Sequence, residues 1–74
     1  MDKNEYFLTN SAQINGINVS KGDILRENST NKTVKVLNVY GNKEGDRLLM
    51  VEYNSPNVSG VPFQKGTDAF SFLS

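Results

Sequence analysis

The chain has 74 residues, with eight basic and eight acidic side chains, no His and no Cys. That length suits one small domain, which on folding buries only about 60% of the surface its unfolded chain exposes. The composition excludes a disulfide framework and metal sites built on Cys or His, and zero net charge provides no basic stripe for a polyanion.

Asp2 to Ser11 is polar apart from one apolar knot, Tyr6-Phe7-Leu8, which suits a short strand or a single helical turn. It lacks the charged-then-apolar order of a signal peptide, and no apolar run approaches the ~20 residues that span a bilayer. The expectation is a cytoplasmic protein with no membrane contact. Residues 1–11 read as an N-terminal segment and residues 12–74 as a small β-barrel domain.

Asn15-Gly16 is a strong hairpin signal, because both central residues of a type I′ turn need positive φ. Gln13-Ile14 precedes it and Ile17-Asn18-Val19 follows, so Ile14, Ile17 and Val19 are expected on one buried face of a tiny hairpin or a kinked first strand. Lys21-Gly22-Asp23 then turns the chain into the strand Ile24-Leu25-Arg26-Glu27. Asn28 to Lys32 is loop chemistry.

Thr33 to Tyr40, TVKVLNVY, is the clearest strand, rich in β-branched residues. Val34 and Val36 alternate with polar residues, and then Leu37 and Val39 mix the parity. A strand apolar on both faces is central or strongly bent. Gly41 to Asp46 reads as a hairpin loop leading to Arg47–Tyr53, where Leu49, Val51 and Tyr53 share one face. Asn54 to Gly60 is another loop. Val61-Pro62-Phe63-Gln64 is a short strand that Pro62 assigns to a sheet edge, since proline has no N–H for the ladder. Gly66 to Ala69 suits a turn or a 3₁₀ turn, and Phe70 to Leu73 a closing strand. The fold class is all-β: five or six short strands with at most one helical or 3₁₀ turn. Val36, Val51 and Phe70 are the expected core.

This order of elements resembles an SH3-like barrel. The string Gly22-Asp23-Ile24-Leu25-Arg26, then Thr33-Val34, Tyr53, Phe63 and Ala69, is similar to the short bacterial proteins of the YodC-like family. Two departures stand out: that family carries Trp in the third strand, where this chain has Glu52-Tyr53, and the N-terminal extension is additional. The resemblance implies a fold and no activity.

Catalytic chemistry finds little support. Ser29-Thr30-Asn31-Lys32 matches the S-x-x-K spacing of Ser-Lys acyl-transfer enzymes, yet it sits in a polar loop of a chain too short for their substrate cleft. Asp23 with Glu27, and Glu44 with Asp46, are the candidate carboxylate pairs for acid-base work. Asp23 is better explained as a turn residue, and Glu44 and Asp46 as loop solubilisers. No cofactor, metal or small-molecule substrate is expected, and the chain reads as a non-enzyme.

The seven aromatics carry the functional question. Tyr40 near Arg47, and Tyr53 near Lys65, could stack on bases as single-strand binders do. Neutral charge favours a protein surface instead. The expectation is a protein-protein interaction module that binds a partner or a second copy through Tyr6, Phe7, Tyr40, Arg47 and Tyr53. The alternative is a nucleic-acid-binding small barrel. Length and Asn richness are compatible with a phage or other mobile-element protein of bacterial origin that acts on a host partner.

Overall fold

The computed structural model describes residues 5–54 and 60–73. Among these residues the chain is all-β, with eight strands and one 3₁₀ turn: β1 (Phe7–Leu8), β2 (Ala12–Ile14), β3 (Ile17–Val19), β4 (Ile24–Glu27), β5 (Thr33–Gly41), β6 (Arg47–Tyr53), β7 (Phe63–Gly66), η1 (Thr67–Ala69) and β8 (Phe70–Phe72). The count exceeds the five or six expected because β1, β2 and β3 are only two or three residues long.

Six strands form one antiparallel sheet in the order β7-β6-β5-β4-β8, with β1 paired to β5 off this path. The ladder is not closed. β7 and β8 are its ends. β7 lies at an edge as expected, but it runs from Phe63 to Gly66, so Val61 and Pro62 precede the strand and take no part in its ladder. β5 is the central strand. It meets β6 along its whole length on one side, and β4 and then β1 on the other. The mixed parity of its sequence has a geometric cause. A bulge interrupts the β5–β6 register between Val36 and Asn38. It resets the alternation, so that Val34, Val36 and Val39 all point inward.

β2 and β3 form a separate hairpin. Its turn residues have φ of 52° at Asn15 and 78° at Gly16, the positive values a type I′ turn needs. Ala12, Ile14 and Val19 bury against the sheet. The register sets Ile17 opposite Ile14 and two places before Val19, on the expected face, but Ile17 itself is 59% exposed, so the core covers that face only at Ala12, Ile14 and Val19. The second turn also forms as expected. Gly22 has φ 97°, and the Asp23 carboxylate accepts the Ser20 N–H at 2.8 Å.

The core comprises Leu25, Val34, Val36, Val39, Leu49, Val51 and Phe70 from the sheet, closed by the three hairpin residues. Val36 and Val51 are fully buried and Phe70 nearly so. One charged residue joins this set, Glu27, which is 1% exposed.

Candidate interaction surface

Glu27 is buried because of strand parity. Leu25 and Glu27 lie two apart on β4, so both face inward. Across the sheet Leu49 is paired with Lys65, which puts the Lys65 stem on the inner side of β7. The curl of the sheet brings the two strands together, and the Lys65 ammonium pairs with Oε2 of Glu27. Oε1 accepts hydrogen bonds from the Thr30 hydroxyl at 2.6 Å and the Tyr53 hydroxyl at 2.9 Å. Thr30 is held there by its loop: the Glu27 N–H donates to the Lys32 carbonyl and the Asn31 N–H to the Glu27 carbonyl, both at 2.8 Å.

A buried carboxylate is costly unless paired and hydrogen-bonded, and this one is both. The Lys65 and Thr30 bonds outweigh desolvation and lower its pKa from 4.5 to about 2. The same hydrogen bond to Glu27 raises the Lys65 pKa, and the Tyr53 phenol is raised by its own bond to Glu27. Tyr53 and Phe63 stack beside this cluster with ring centroids 5.0 Å apart. Lys32 lies 5.3 Å over the Tyr53 ring and Lys65 5.8 Å over Phe63.

The five residues expected to bind a partner fall in two places. Tyr53 belongs to the Glu27 cluster. Tyr6, Phe7, Tyr40 and Arg47 gather at the opposite end of β5 and β6. There Phe7 is paired with Gly41 and Gly41 with Arg47, while Leu8 is paired with Tyr40 and Tyr40 with Leu48. Tyr40 and Arg47 therefore lie on opposite faces. Arg47 is a structural tie. Its guanidinium covers Gly41, where an added Cβ would sit 2.8 Å from Nη1. It donates to the Ser11 carbonyl at 3.3 Å, the Ser11 hydroxyl at 3.1 Å and the Asp46 carbonyl at 2.9 Å.

Phe7 and Leu8 remain 51% and 66% exposed. Their backbone is only half used. The Thr9 N–H donates to the Val39 carbonyl at 2.9 Å, so Phe7 and Thr9 turn their polar groups toward β5. The N–H and carbonyl of Leu8, on the alternate parity, point away from it. A notch of about 210 Å³ opens beside this strand, lined by Leu8, Thr9, Val19 and Val39 among others.

The Glu27–Lys65 pair is not expected from the sequence, where Glu27 reads as an acid-base partner of Asp23 and Lys65 as a companion of Tyr53. The usable signal was parity: an acid two places after a core Leu, and a Lys two places after a strand Phe. Comparison with protein-family models, curated proteins and solved structures found no match for this chain.

Proposed function

We propose that this protein is a non-enzymatic protein-interaction module built on an SH3-like small barrel. The barrel reading is supported by the strand order β7-β6-β5-β4-β8, by the 3₁₀ turn before the last strand, and by the Glu27–Lys65 pair that spans the sheet. The interaction reading rests on one observation: β1 carries Phe7 and Leu8 largely exposed on a strand with one edge open. An open edge templates another strand. A chain this small has little surplus burial, and association adds to it.

Deleting residues 1–11 tests the reading. A truncated protein that stays folded and loses its partner or its self-association supports it. Loss of thermal stability with unchanged association makes β1 a plug for the sheet and refutes the reading.

Nucleic-acid binding is the second reading, carried by the Lys32–Tyr53–Phe63 stack. It is the weaker one, since the nearby Lys65 is neutralised by Glu27.

A further inference from the structure

We infer that β1 pairs with β1 of a second copy in an antiparallel two-fold arrangement centred on Phe7. The inference rests on the interaction reading above and names its partner. Leu8 turns its N–H and carbonyl away from β5, and strand alternation gives Tyr6, two places before it, the same direction. A second β1 must therefore hydrogen-bond through these even-numbered residues.

Several two-fold registers satisfy that condition. Centring on Leu8 sets Phe7 against Thr9 and Tyr6 against Asn10. Centring on Tyr6 sets Phe7 against Glu5. Centring on Phe7 sets Tyr6 against Leu8 twice and Phe7 against itself. That register alone matches every residue of the apolar knot with another apolar residue. It also sets Glu5 against Thr9, so no like charges meet, and two neutral chains approach without long-range repulsion. Phe7, now 51% exposed, would gain an aromatic partner on its own face.

The register is directly readable. Phe7 opposite Phe7 is a non-hydrogen-bonded pair, with Cα atoms about 4.5 Å apart, inside the range a disulfide accepts. The chain has no Cys, so a single introduced thiol reports without interference.

Three measurements test the proposal on the full chain. Sedimentation of the native protein over a wide concentration range is expected to show a monomer–dimer equilibrium. Leu8→Pro removes an outward N–H that β5 does not use, so it is expected to leave the circular dichroism unchanged. One hydrogen bond per copy is lost, and dimerisation weakens at least about tenfold. Under mild oxidation, Phe7→Cys is expected to cross-link faster than Leu8→Cys, whose thiols lie two residues out of register. A native protein that stays monomeric overturns the inference, as does a dimer indifferent to Leu8→Pro or equal cross-linking by the two cysteines. If Leu8→Pro unfolds, the cysteine pair decides. A monomer that still binds another protein through residues 1–11 overturns this inference alone and leaves the interaction reading standing.

Discussion

Replacing Lys65 by Met strands the Glu27 carboxylate inside the fold with only the Thr30 and Tyr53 hydroxyls for company. Removing one member of a buried pair leaves an uncompensated charge, and the expected loss is about 2–4 kcal/mol. Glu27→Gln is expected to cost less. The amide oxygen can still accept from Thr30 and Tyr53, and Lys65, 40% exposed, can turn to water. Denaturant titration of the two variants checks the order. If Glu27→Gln is the more damaging, the pair is not the source of stability here.

The same residue sets the acid limit. Its folded pKa lies below its unfolded value, so the stabilisation is full above about pH 4.5 and is lost as pH falls toward about 2. The fall from 4.5 to about 2 corresponds to on the order of 3 kcal/mol at most, less what solvent takes at the partly exposed Lys65. Melting temperature is expected to fall between pH 5 and pH 3, and this fall is expected to shrink in Glu27→Gln. An identical acid profile in the variant would assign the loss to other carboxylates. Lys65 has the opposite sign. Its raised pKa contributes stability that disappears only in alkali, as pH rises through the folded value.

At the scale of elements, turn chemistry and side-chain parity decide which short segments form. The β2–β3 turn depends on Gly16 at φ 78°. Nothing lies within 4 Å of a Cβ built there, so Gly16→Ala meets no clash and tests backbone strain alone. The expected cost is about 1 kcal/mol, or about 4–8 °C in melting temperature for a domain of this size. A smaller change would mean that the hairpin is marginal to folding. β5 shows parity at work. Its sequence alone reads as apolar on both faces, and the bulge after Val36 turns that ambiguity into one continuous inward row. The bulge itself is not written in TVKVLNVY, because any of several residues there could be the extra one. It arises where β6 and the β4 and β1 segments on β5's other side must all be satisfied at once.

At the scale of the molecule, ten buried apolar residues among those described form one core, so single truncations are expected to be felt globally. Val51 is fully buried at the centre of β6, and Val51→Ala is expected to cost on the order of 2–3 kcal/mol, a large share of a small domain's stability. A melt within a degree or two of the native protein would remove Val51 from the core. Zero net charge makes a further prediction. Sub-micromolar binding to single-stranded DNA or RNA at ~150 mM salt is not expected, since phosphate neutralisation supplies most of that affinity. Such binding in a fluorescence-anisotropy titration would promote the Tyr53–Phe63 stack to the functional surface.

By itself, the sequence determined the all-β character, the Asn15-Gly16 and Gly22-Asp23 turns, and the core triplet of Val36, Val51 and Phe70. These follow from local rules: positive φ and period-two alternation. Only the tertiary structure decided the role of Glu27, the structural use of Arg47 and the separation of Tyr53 from Tyr40. Those depend on which strands the curl of the sheet brings face to face. Lys65 and Glu27 are 38 residues apart, and only long-range pairing sets them in contact. The open edge at Leu8 is likewise a property of the assembled sheet, because a strand has an unused side only once its other side is paired.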